Sequence, residues 1–101
     1  MTPLTPAELA AALATLPSWR HHDGALHREV RFGSFRAAIA FLAAAAPDID
    51  ALDHHPEWSN VYDRVRIRLT THDAGNLVTA RDVALARLLD RRIAETPAGG
   101  V

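Results

Sequence analysis

Cysteine and lysine are both absent from this 101-residue chain, and each absence removes whole classes of chemistry. Without cysteine there are no disulfides, thiol nucleophiles, iron–sulfur clusters or cysteine-based zinc sites. Without lysine, since all 11 basic residues are arginine, no side chain can form a Schiff base and no phosphate-loop lysine exists. Neither charge sign dominates: 11 basic residues against 12 acidic ones argue against general nucleic-acid binding. The longest apolar run, Ala37 to Ala46, is too short to span a bilayer, which needs about 20 residues. No basic segment precedes an apolar run at the N-terminus, so no signal peptide is expected. A cytoplasmic protein without nucleic-acid or membrane partners is the expectation.

What is present reads as one globular domain over 1–101, since 49% of residues are hydrophobic and 23% charged. Thr5-Pro6-Ala7-Glu8 is a helix start, with Thr5 and Glu8 spaced for a capping box and Pro6 suited to the first position. Leu9, Leu13 and Leu16 follow at helical spacing until Pro17. Trp19 to Phe32 reads as a hairpin turning at Asp23-Gly24. Arg28 falls on its apolar side and is expected to point its head outward. Ser34 caps a second helix with Phe35, Ile39, Leu42 and Ala46 on one stripe. Pro47 is expected to kink or restart that helix, leaving Asp48 to Asp53 as an irregular turn.

Trp58 to Thr71 is β-rich. Val65, Ile67 and Leu69 alternate with Arg64, Arg66 and Arg68, which predicts a core face and a solvated face. Asn60 to Tyr62 is a candidate short strand, joined to the next through Asp63-Arg64. Thr79 and Asp82 are spaced as a capping box for a last helix reaching about Glu95, with Leu85, Leu89 and Ile93 as its stripe. Residues 96–101 read as a frayed tail. The order predicts an α+β domain: a four-stranded antiparallel sheet with three helices packed on one face, α-β-β-α-β-β-α.

Chemistry concentrates in Asp50 to Trp58 and Thr70 to Asp73. His54 and His55 stand at a helix-to-strand junction, where Pro56 biases His55 toward an extended conformation. His72 closes the following strand, and strand pairing can return it to that junction. Imidazoles both give and take protons near neutrality, so three of them with Asp50 and Asp53 suit general acid/base catalysis. Two other readings compete. A His-His pair in a loop is often plain solvated surface, and three histidines with a carboxylate can bind zinc. Adjacent histidines rarely face one metal, however, and no helix carries a pair at i, i+4 spacing. His21 and His22 read as surface. Trp19 and Trp58 can each serve as core anchor or as a stacking face for a flat heterocycle. Phe32, Phe35 and Phe41 read as core.

The pattern Asp50-x-x-x-His54-His55-Pro56-x-Trp58-x-Asn60-x-Tyr62-x-x-Val65-x-Ile67-x-Leu69-x-Thr71-His72 resembles the pterin-4a-carbinolamine dehydratase family. Leu16-Pro17-x-Trp19, Phe32-x-x-Phe35-x-x-Ala38-x-x-Phe41 and Leu77 to Ala86 extend the likeness over nearly the whole chain. The resemblance implies a helix-covered four-stranded sheet, dimers often joined into tetramers, and dehydration of a 4a-hydroxytetrahydropterin to the quinonoid dihydropterin. That reaction recycles the pterin after aromatic amino acid hydroxylation, which links the chain to a hydroxylase pathway. It makes the pterin a substrate and needs neither metal nor other cofactor. His54, His55 and His72 become the active-site histidines. His54 and His72 would handle the proton at the hydroxyl. His55 would position the ring and assist at N5. Asp50 would orient a histidine and favour its imidazolium form. Asp53, Pro56, Trp58, Thr70, Thr71 and Asp73 would line the pterin pocket. His54→Ala is expected to cut turnover and spare the fold, as a loop residue with little packing. The resemblance also implies an alternative, since some members act as binding or assembly proteins. Asp50 stands where glutamate is common, and 75–79 is one residue longer than usual before the last helix, at whose start Asp82 occupies an acidic position.

Overall fold

Local signals set most boundaries in the computed structural model, which describes residues 2–97. Helix α1 (Pro6–Ala14) starts where Thr5 Oγ1 accepts from the Glu8 amide at 3.2 Å and Glu8 Oε1 accepts from the Thr5 amide at 2.9 Å. Strands β1 (Arg20–His22) and β2 (Ala25–Arg31) flank the Asp23-Gly24 turn. Both turn residues have positive φ, 50° and 70°. Gly24 is demanded twice over, because a Cβ there would also lie 2.6 Å from the Asn76 carbonyl oxygen.

The second hairpin pairs β3 (Glu57–Val61) with β4 (Arg64–Leu69). Its turn is Tyr62-Asp63, one residue earlier than the sequence pattern predicts. Asn60 explains the shift: its amide donates to the carbonyls of Tyr62 and Arg64 at 3.1 and 3.0 Å. Those bonds hold Tyr62 at a φ of 52°, unusual for a residue of its size. The strands form one antiparallel sheet in the order β1-β2-β4-β3.

Helices α2 (Phe35–Leu52) and α3 (Ala80–Glu95) complete the expected α+β order. They pack on each other and on β4, with Leu9 and Leu13 of α1 against the same core. Phe41, Leu26, Ile67, Leu69, Leu85 and Leu89 fill that core. Of the expected aromatic anchors, Trp19 and Phe32 are buried there as well, whereas Phe35 is 51% exposed. The buried face of α2 is Ala37, Ala38, Phe41, Ala45 and Ile49, not the stripe beginning at Phe35 and Ile39. An alanine-rich helix is apolar on two sides, so periodicity does not choose between them. Phe41 decides, stacking on Phe32 at 5.3 Å and meeting Trp58 edge-on at 6.2 Å.

Pro47 neither stops nor restarts α2, which runs on to Leu52 and ends at Asp53 in a left-handed cap. The carbonyl deprived of a donor belongs to Ala43, on the exposed side, where water can satisfy it. Arg28 also departs from expectation. Its guanidinium turns back over the sheet to Asp90 of α3, which accepts from Trp19 Nε1 at 2.8 Å as well. A long side chain on an apolar face takes a nearby half-buried carboxylate in preference to solvent. The outer arginines are ion-paired: Arg64 and Arg66 share Glu29, and Arg68 meets Glu57. Thr96 closes α3, its hydroxyl donating to the Arg92 carbonyl at 2.7 Å. Residues 98–101 of the expected frayed tail lie outside the described residues.

One link between α2 and α3 carries a pH dependence. Arg92 grips Asp48 with Nε and Nη2 at 2.6 and 3.2 Å. That bond holds the Asp48 carboxyl below its usual value. An unfolded aspartate titrates near about 3.9. The pair's stabilisation is therefore full above that pH and vanishes as pH falls through the lower folded value. Thermal melts of wild type and Asp48→Asn should differ at pH 7 and converge toward pH 3. A gap that persists unchanged at low pH contradicts this account.

Candidate active site

The left-handed residue Asp53 turns the chain sharply off α2 and delivers His54, His55 and Pro56 to the start of β3. On the other side β4 ends at Leu69, and Thr71 makes an isolated bridge to Leu77. A single 3-10 turn, His72–Ala74, follows. Antiparallel pairing of β3 with β4 brings these two segments together at one end of the sheet. There a cleft of about 200 Å³ is lined by Asp53, His54, His55, Thr70, Thr71, His72, Asp73 and Arg81. A second cleft of about 160 Å³ is lined by Ala46, Ile49, Asp50, His55, Pro56 and Trp58. His55 lines both. All ten residues singled out from the sequence thus lie on two clefts that share one histidine. A roomier apolar hollow of about 470 Å³ beside α1 has His21 as its one titratable lining residue. Size alone does not mark the chemistry here.

The three imidazoles have three environments. His54 is 9% exposed, and its Nε2 lies 2.6 Å from Oδ1 of the fully buried Asp82. Oδ2 of Asp82 accepts from the Thr71 hydroxyl at 2.7 Å and from the Thr79 amide at 2.9 Å. His55 is mostly exposed and sets its Nε2 2.9 Å from Oδ1 of a still more open Asp50. His72 stands almost wholly in solvent at the rim, its Nδ1 3.7 Å from Oδ1 of the similarly exposed Asp73. The histidine within hydrogen-bond distance of Asp50 is His55.

Several lining residues also have structural work. The Thr70 hydroxyl donates to the Gly24 carbonyl at 2.9 Å, tying the first hairpin to the cleft. Arg81 Nη2 donates to the Asp53 carbonyl at 2.6 Å, bracing the junction from α3. Trp58 presses one edge on Phe41 and offers its remaining surface beside His55 and Pro56. It is therefore both anchor and wall. Trp19, the other aromatic candidate, is buried and belongs to the core alone.

Sequence reasoning missed Asp82 and Arg81 as site residues. Asp82 was legible as the third residue of a helix cap and as an acidic position of the resembled family, and it fills the capping role. A buried carboxylate needs partners on both oxygens, and the cap supplies only one. That shortage was the available signal.

Comparison with known proteins places this geometry. The family model described as pterin 4 alpha carbinolamine dehydratase matches residues 2–92. A provisionally named pterin-4-alpha-carbinolamine dehydratase of Opitutus terrae is 52% identical over 90 residues, 89% of this chain and 93% of the relative. A relative from Rhizorhabdus wittichii with the same provisional name is 51% identical over 90 residues, 87% of this chain and 92% of its own. Among solved structures, a transcriptional coactivator/pterin dehydratase from Brucella melitensis superposes with a TM-score of 0.86 at 39% identity. That match covers 91% of this chain and 99% of the other. A pterin dehydratase-like RuBisCO assembly factor of the alpha-carboxysome gives 0.64 at 25% identity, over 75% of this chain and 89% of its own. With a match across nearly all its length and the same sheet and helices, the chain belongs to the pterin-4a-carbinolamine dehydratase family.

Proposed function

We propose that this protein removes water from a 4a-hydroxytetrahydropterin by histidine acid/base catalysis, giving the quinonoid dihydropterin. The observation that carries this reading is the buried His54–Asp82 pair opening onto a cleft that His55 and His72 also line. The chemistry asks for little else. A proton reaches the C4a hydroxyl, the C4a–O bond breaks and water leaves. N5 then loses its proton, and its electron pair forms the C4a–N5 double bond. Both transfers suit groups that titrate near neutrality, with no nucleophile and no redox change.

His54 and His72 flank the hydroxyl, the first held rigidly and the second free to move. His55, oriented by Asp50, positions the ring and takes the N5 proton. Trp58 and Pro56 offer the ring a flat apolar wall, while Asp53, Asp73 and Thr70 supply polar edges. The pterin is substrate, and the reaction runs without metal. We place the reaction in the cytoplasm, linked to a pterin-dependent aromatic amino acid hydroxylase. No helix among the described residues is long and apolar enough to cross a membrane.

Self-association belongs to the same proposal. Phe35 and Ile39 on the outer face of α2 are 51% and 41% exposed, whereas α3 spends its apolar stripe on the core. Light scattering should therefore give the mass of a dimer or tetramer, and a monomer at working concentration contradicts it. A second reading, a binding or assembly protein without catalysis, draws on the assembly-factor neighbour. The assay that separates them follows decay of freshly generated 4a-hydroxytetrahydropterin by ultraviolet absorbance, with chelator present. Acceleration over buffer supports the metal-free dehydratase. A folded protein without acceleration supports the binding role.

A further inference from the structure

The bonds behind His54 form an ordered chain with defined donors. Asp82 is fully buried, and its Oδ2 is already occupied by the Thr71 hydroxyl and the Thr79 amide. A Thr hydroxyl has one hydrogen to give. Thr71 gives it to Asp82, so the Thr79 hydroxyl, 2.8 Å away, must donate to Thr71. The Thr79 oxygen in turn accepts from the Arg81 amide at 3.2 Å. Every donor in the chain thus points toward Asp82. An ionised carboxylate only accepts, so His54 must present a protonated Nε2 to Oδ1. No buried side-chain nitrogen or oxygen among the described residues lacks a partner, and Nδ1 of His54 has none. That atom is therefore open, on a residue that lines the cleft.

We infer that Thr71 is a positioning residue for His54, acting through Asp82, and that Nδ1 of His54 is the atom that exchanges protons with substrate. Thr71 is 2% exposed and its hydroxyl faces the protein interior, so it serves the site from behind and does not touch the pterin through that group. Val is nearly isosteric with Thr and lacks the hydroxyl. Thr71→Val leaves Asp82 one donor short and Thr79 without its acceptor. Asp82 is then free to turn, and His54 is no longer confined to one tautomer.

The inference rests on the dehydratase reading for its kinetic arm, and its spectroscopic arm stands without it. Long-range proton–nitrogen NMR of histidine-labelled protein reports the His54 tautomer directly. Wild type should show a single Nε2–H form above the imidazole titration. Thr71→Val should show a mixture and lose about tenfold in kcat with KM nearly unchanged, a loss usual for an outer support of a functional histidine. Thr71→Ser should restore both. Asp82→Asn gives a sharper result should Thr71→Val fail to fold. Its side-chain oxygen stays with Thr71 and Thr79, its amide turns to His54, and the imidazole should switch to the Nδ1–H form. Inactive wild type with the expected tautomers overturns the dehydratase and leaves the positioning chain standing. A folded Thr71→Val with unaltered kcat and a pure Nε2–H imidazole overturns the inference, as does an unswitched tautomer in Asp82→Asn.

Discussion

His54→Ala should lower kcat/KM about 100-fold or more, the usual worth of one positioned acid/base group. It should also lower stability, which sequence reasoning does not anticipate. The residue follows a helix end and reads as a loop histidine with little packing, yet it is 9% exposed and is the partner of a fully buried carboxylate. Truncation strands one oxygen of Asp82, at a cost of about 1–3 kcal/mol. For a domain of this size each kcal/mol moves Tm by roughly 4–8 °C. The variant should remain folded at 25 °C, because small domains have about 5–15 kcal/mol to lose. His72→Ala is the control. Its side chain is 91% exposed, so activity should fall while Tm stays put. Stopped kinetics and circular-dichroism melts on both variants check the pair. Full activity in both would dismiss these histidines as the acid/base groups.

Val65→Asp should abolish the fold. Val65 is 0% exposed as the second residue of β4, opposite Val30 on one side and Asn60 on the other. Arg28, two residues along β2 on the same face, is already held by Asp90, so a carboxylate there would be buried without a partner. An unpaired buried charge belongs to the small group of substitutions that cost more than about 4 kcal/mol. That approaches the whole stability of a small domain, so no cooperative melt should remain near 37 °C. A Val65→Asp protein with a native spectrum and a Tm within a few degrees of wild type would show that the sheet face is assigned wrongly.

How much was legible in the sequence depended on how local its cause is. Thr5 with Glu8, Ser34, and Thr79 with Asp82 are caps closed within four residues, and each starts a helix where its pattern says. Asp23-Gly24 turns for a reason internal to two residues. The second turn slipped because Asn60, outside the turn, bonds across it. The buried face of α2 was illegible in a run of alanines, since distant Phe32 and Trp58 choose it through Phe41. Pro47 looked like a break because its tolerance depends on Ala43 facing water.

The candidate site divides the same way. His54, His55 and Pro56 are adjacent, and Asp50 lies five residues from His55, so that group stood out as a cluster. Return of His72 to the cleft followed from antiparallel pairing alone. The His54–Asp82 bond spans 28 positions and joins the end of one helix to the start of another. No spacing rule announces such a contact. Thr71 lines the cleft, but the inward turn of its hydroxyl is decided by where Asp82 sits, and no spacing shows that.

The most direct measurement is the decay of freshly generated 4a-hydroxytetrahydropterin, followed by ultraviolet absorbance with wild type, His54→Ala and buffer side by side. The account predicts rapid decay with wild type and near-buffer decay with His54→Ala, both proteins being folded at the assay temperature. Wild-type decay no faster than buffer would contradict it and leave a pterin-dehydratase fold put to a binding use.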